Sequence, residues 1–137
     1  MENINFIIPE IFISLSIMFL LVFGVFKKNS SSIVYFLTVI SLVVVLGLII
    51  NLPHNYEIFL FDNSYKIDHL STFMKIITIV SGIFILISSY DYTKLEKISN
   101  IEYPILILCS ILGMMVMISS YDLIVFYIGL ELQSLAL

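Results

Sequence analysis

From Ser32 to Ile50 the chain runs without one charged residue. Wound as a helix, a run of that length fits a hydrocarbon core of roughly 30 Å, which takes about 20 apolar residues. The rest of the composition agrees. Of 137 residues, 61% are hydrophobic and 12% are charged, more apolar surface than a soluble domain of this size can bury. A soluble globular domain is excluded, and so is intrinsic disorder. Six lysines, no arginine and a formal net charge of −4 leave no basic footprint for phosphate, which excludes a nucleic-acid partner. The single cysteine, Cys109, excludes a disulfide framework and a cysteine-based metal site.

Hydropathy predicts helices over about 9–26, 32–50, 70–90, 101–119 and 121–137. Pro9 suits a first helical turn, and Glu10 behind it faces the positive end of the helix dipole. Asp68 is a plausible N-cap for the third helix, and Pro104 falls in the first turn of the fourth. The tail before the first span carries Glu2 and no lysine, the reverse of a signal peptide. The expected fold class is therefore all-α integral membrane, about five transmembrane helices forming one membrane segment over 1–137.

Lysine placement sets the orientation. Lys27 and Lys28 follow the first span, and Lys94 and Lys97 follow the third. The link after the second span holds Lys66 among Glu57, Asp62 and Asp68, and the turn at Ser119–Asp122 holds none. This pattern places the N-terminus and the second and fourth links outside. The long second link reads as a short hairpin on the outer surface, with strands at Tyr56–Phe61 and Tyr65–Ile67 around Asp62–Ser64. The fifth span, about 17 residues or about 25 Å, is slightly short of a crossing. A free carboxylate at Leu137 within the hydrocarbon is costly, so a second chain is expected to receive this end and complete the fold.

Polar groups in hydrocarbon are functional candidates, because lipid cannot satisfy them. Glu131 lies about 15 Å into the fifth span, near the midplane. Tyr127 and Ser134 share its helix face and could hydrogen-bond it. A carboxyl in hydrocarbon favours its neutral form, and beside a cation its ionised form, so one nearby amine can switch it. That suits a proton relay; the plainer alternative is a protonated Glu tying two helices together. Gln133, about 200° away on the same helix, lies on a second face with Asp122, Phe126 and Gly129 and reads as an interhelical hydrogen-bonding group. Lys75, about five residues into the third span, reads as snorkelling to the outer surface, with a cation facing the bundle interior as the alternative. Glu10 is assigned to the helix dipole. His54 and His69 are isolated, which argues against a metal site. Asp91, Glu96 and Glu102 form a solvated link with Lys94 and Lys97. Gly113, with Met114, Met115 and Met117, marks a close-packed patch on the fourth helix.

The run from Met114 to Leu137, with Gly129-Leu130-Glu131-Leu132-Gln133-Ser134-Leu135 at its centre, resembles the fourth-to-fifth helix junction of chain 2 of NADH:ubiquinone oxidoreductase, respiratory complex I. Pro9-Glu10-Ile11 is similar to the start of that chain's first helix, and Ile67-Asp68-His69-Leu70-Ser71-Thr72-Phe73 to its entry into the third. The likeness covers essentially the whole chain but only the first helices of the family. It implies an antiporter-like membrane subunit built from inverted repeats with broken helices, in which buried Lys and Glu residues conduct protons. The family's fifth-helix Glu maps onto Glu131, while its Lys partner lies on a later helix that this sequence does not contain.

The resemblance implies a subunit of a proton-translocating enzyme with Glu131 as proton relay, supported by Tyr127, Ser134, Gln133 and Lys75. It implies no cofactor and no metal on this chain, with NADH, flavin, iron–sulfur clusters and ubiquinone bound elsewhere in the complex. The partners it implies are a second fragment carrying the remaining helices, from a divided gene, then other complex I membrane subunits and lipids. The Ile-rich, Arg-free, Trp-free composition suits an AT-rich organelle gene, and the location that the resemblance implies is the mitochondrial inner membrane, with the N-terminus on the intermembrane-space side. A structural or assembly subunit, and part of a related cation/proton antiporter, stand as the other readings.

Overall fold

A computed structural model describes residues 2–27, 31–53, 57–95 and 101–137. Lys28, His54, Tyr56, Glu96 and Lys97, used above, lie outside the described residues. A short 3-10 turn at Glu2–Phe6 leads into α1 (Ile8–Phe26), which is followed by α2 (Ser31–Ile50), β1 (Ile58–Leu60), β2 (Tyr65–Ile67), α3 (His69–Leu95), α4 (Glu102–Ser119) and α5 (Leu123–Ala136). The first four helices are long and apolar enough to cross a membrane. Large apolar side chains such as Phe19, Phe84 and Leu123 point outward, as the surface of a membrane protein requires. This is a multi-pass membrane protein.

The bundle is organised around α4, which packs against α1, α2, α3 and α5. Each of the first four helices buries a stripe at helical spacing. On α1 it is Glu10, Ile13, Ile17, Leu20 and Gly24. On α3 it is Ser71, Lys75, Ile79, Gly82 and Leu86. These converge with Leu42, Val45, Leu108, Ile111 and Met115 in one apolar core. Two buried hydroxyls of α2 are satisfied locally: Thr38 donates to the Tyr35 carbonyl and Ser41 to that of Thr38. Tyr35 reaches from α2 to the Leu86 carbonyl and meets Ser89 on α3. α5 differs, because Gly129 is its only buried residue among the described residues.

One end of the bundle is closed by the hairpin, whose strands pair antiparallel with Ile58 opposite Ile67, Phe59 opposite Lys66 and Leu60 opposite Tyr65. Phe61 belongs to its turn rather than to the first strand. It shares the left-handed region with Asp62 and Asn63, at φ of 52°, 54° and 67°, a conformation that costs Phe more than Asp or Asn. The hairpin continues onto the α4–α5 turn. The Tyr121 amide donates to the Ser64 carbonyl at 2.9 Å, and the Phe59 and Tyr121 rings meet edge to face at 5.3 Å. That tie holds Tyr121 and Asp122 out of the last helix, so α5 begins at Leu123. At the other end α3 runs on through Asp91 to Leu95, and Lys94 lies over the Tyr90 ring at 4.2 Å. At 27 residues it is about 40 Å long, longer than the hydrocarbon is thick.

Candidate functional site

The entry to α3 fixes the geometry of the hairpin end. The Ser71 amide donates to Asp68 Oδ1 at 2.8 Å, and the Asp68 amide donates back to Ser71 Oγ at 2.9 Å. This reciprocal cap satisfies two backbone donors at once. The Ser71 N–H holds the Asp68 carboxyl below its ordinary value, with Lys66 adding to the effect. One turn further on, Lys75 occupies the position in the buried stripe between Ser71 and Ile79.

Lys75 does not snorkel. It is 5% exposed, and its ammonium is paired with Glu10 Oε1 inside the bundle. The physical reason is its register: four residues before Ile79, it must share the core-facing side of α3. Glu10 is corrected with it. The carboxyl is 6% exposed and serves as the counter-ion of Lys75 rather than as a helix-end charge. A third member comes from the hairpin. Tyr65 on β2 donates its hydroxyl to Glu10 Oε1 at 2.8 Å and lies 3.4 Å from Lys75 Nζ. Burial, and then the Glu10 charge, push the Tyr65 phenol far above its ordinary value, so it stays a donor. Three separate elements thus meet at one carboxylate oxygen. Sequence reasoning missed Tyr65. Its signal was the alternation in β2, where Tyr65 and Ile67 face inward and Lys66 faces away.

α5 is arranged differently. Gly113 on α4 and Gly129 on α5 face each other so closely that a Cβ added at Gly113 would stand 2.7 Å from the Gln133 amide nitrogen and 2.9 Å from the Gly129 carbonyl. The Gly113 patch is therefore a helix crossing of the small-residue kind. It turns the Gly129–Gln133 face of α5 toward α4. Glu131, two residues from each, points the other way. Its side chain is half-buried, Tyr127 on the same face is 61% exposed, and Gln133 is half-buried. Ser134 donates to the Glu131 backbone carbonyl at 3.1 Å rather than to its carboxylate. Among the described residues Glu131 enters no ion pair. Lys75 and Glu131 are thus not brought together, since Lys75 is committed to Glu10. His69 is exposed at the start of α3 and Cys109 stands alone on α4.

Fold and site together define an integral membrane bundle that carries, among the described residues, the buried Glu10–Lys75 ion pair and, on the open face of α5, the Glu131 carboxyl without an ion-pair partner. No family model matches the chain. The chain is homologous over its full length to NADH-quinone oxidoreductase subunit N. It is 65% identical to the protein of that name from Pelagibacter ubique, over 100% of this chain and 29% of the relative. It is 43% identical to that from Bartonella bacilliformis, over 96% of this chain and 27% of the relative. It is 38% identical to that from Paramagnetospirillum magneticum, over 96% and 27%. The chain therefore spans less than a third of the length of the curated relatives it matches.

Proposed function

We propose that this chain is a membrane segment of a proton-translocating NADH:quinone oxidoreductase, and that Glu131 is the acid of an antiporter-like proton half-channel. The observation that carries the reading is the setting of Glu131. It is a carboxyl on a hydrophobic helix, unpaired among the described residues, on the face turned away from the four-helix core. A cation brought to that face by another segment or subunit would stabilise its ionised form, and withdrawal of the cation would favour protonation. Driving that cation toward and away from Glu131 with the energy of quinone reduction passes a proton along the path. Tyr127 extends the same face as a hydroxyl relay, and Gln133 holds α5 on α4.

In this reading a polypeptide carrying the remaining helices and the other membrane subunits of the enzyme cover α5. The redox groups reside on those other subunits. The N-terminus and hairpin lie on the outer side of an energy-transducing membrane, the mitochondrial inner membrane on composition, a bacterial cytoplasmic membrane on the sources of the relatives. The test is Glu131→Gln in the assembled enzyme, with proton pumping and quinone reduction measured together. Reduced pumping in enzyme of normal yield supports the relay. Normal pumping with lowered yield supports the structural reading instead.

A further inference from the structure

The Glu10 cluster has more hydrogen-bonding capacity than its own members use. Both contacts to Glu10, from Tyr65 and from Lys75, fall on Oε1. The second carboxylate oxygen, Oε2, is buried and has no partner among the described residues. The same is true of Ser119 Oγ, on a residue 0% exposed. Ser119 ends α4 beside the Tyr65 phenol, and its neighbour Ser120 bridges to Tyr65 through the backbone. Two orphaned oxygens therefore flank one tyrosine at the hairpin end of the bundle. A buried carboxylate oxygen without a donor is expensive, and a buried hydroxyl can accept or donate. The entity that satisfies both is small, polar and able to donate twice.

We propose that Glu10, Tyr65, Lys75 and Ser119 form a hydrated proton-binding site, in which one water donates to Glu10 Oε2 and hydrogen-bonds Ser119 Oγ, and Oε2 accepts and returns a proton through it. On uptake an O–H bond forms at Oε2 and one breaks in the protonated water, leaving neutral water. Release reverses this, and no electrons move. Tyr65 stays a donor to Oε1 throughout. Among the described residues the groups that contact Glu10 are Lys75 from α3 and Tyr65 from β2, with the uncharged Ser119 of α4 beside Tyr65. Lys66 lies on the other face of β2, where it pairs with Asp68 and Glu57. Glu131 takes no part, so this site stands whether or not Glu131 is a relay.

The experiment is pH-difference infrared spectroscopy on the chain in lipid, with whatever subunits copurify. A protonated-carboxyl band that grows on acidification, disappears in Glu10→Gln and moves its midpoint by about one pH unit in Ser119→Ala supports the site. A merely structural ion pair would give a band whose midpoint does not respond to Ser119→Ala. Ser119→Ala keeps the ion pair, so it reads the site even where Glu10→Gln fails to assemble. No titrating band sensitive to Ser119→Ala, or a density map that resolves ordered waters and has none between Glu10 and Ser119, overturns the proposal.

Discussion

The carboxyls of Glu10 on α1 and Glu131 on α5 live in opposite settings. Glu10 is enclosed where α1, α3 and β2 converge, with an ammonium and a phenol on one oxygen. Glu131 sits on a helix whose only buried residue is Gly129, and it has no ion-pair partner among the described residues. The first has its counter-ion folded into the same chain. In the proposed function the second receives its counter-ion from outside. An acid in an apolar bundle thus has one role when its counter-ion folds with it and another when the counter-ion arrives separately, because the local charge balance decides which protonation state is favoured.

Removing one partner breaks the comparison most strongly. Lys75→Met leaves Glu10 buried and uncompensated, and we expect a loss of about 3–5 kcal/mol in denaturation of the chain in detergent. Glu10→Gln combined with Lys75→Met recovers more than half of that, because no lone charge remains. Glu131→Gln measured alongside leaves stability nearly unchanged; a loss as large as that of Lys75→Met would show Glu131 to be enclosed after all.

The α4–α5 crossing comes next. At Gly113 an added methyl meets α5 backbone rather than a movable side chain. Gly113→Ala is expected to push α5 off and cost about 1–3 kcal/mol, read as faster proteolysis of α5 while the α1–α4 core persists. Unchanged protection would mean the crossing yields without penalty.

Two smaller changes sharpen the hairpin side. Asp68→Ala removes the cap on α3 and is expected to cost about 1 kcal/mol. Because the folded-state carboxyl sits below its ordinary value, this contribution is present above about pH 4 and is lost as pH falls through the lowered folded value. In the Ala variant that part of the acid sensitivity should vanish. Phe61→Asn relieves a left-handed backbone strained for Phe and should raise stability by under about 1 kcal/mol, offset by the lost edge contact between Phe61 and Tyr65. A destabilised variant would show that the ring contact outweighs the strain.

The spans were legible because hydrocarbon tolerates so few sequences: long uncharged runs such as Ser32–Ile50 have one physical solution. The hairpin was legible from Asp62-Asn63-Ser64, although Phe61 was placed in the strand because nothing local marks a Phe for the left-handed region. The α4–α5 crossing was legible in part, since Gly113 and Gly129 each mark a close approach without naming the other. Lys75 and Glu10 were misread one at a time. Snorkelling and helix-dipole placement are correct options for a lone charge near a helix end, and neither considers a second charge on another helix. The register of Lys75 with Ile79 and Leu86 was the available sign.

The sequence by itself determined that this chain lives in a membrane, how many helices it winds, where it turns back and which acid stands deep in the fifth helix. Those follow from local hydropathy and turn chemistry, which act within about 20 residues. Only the tertiary structure decided that Glu10 and Lys75, separated by 65 residues, neutralise each other beneath Tyr65 while Glu131 faces outward. Which charge meets which depends on how helices are rotated about their axes, and that rotation is set by the packing of all of them together.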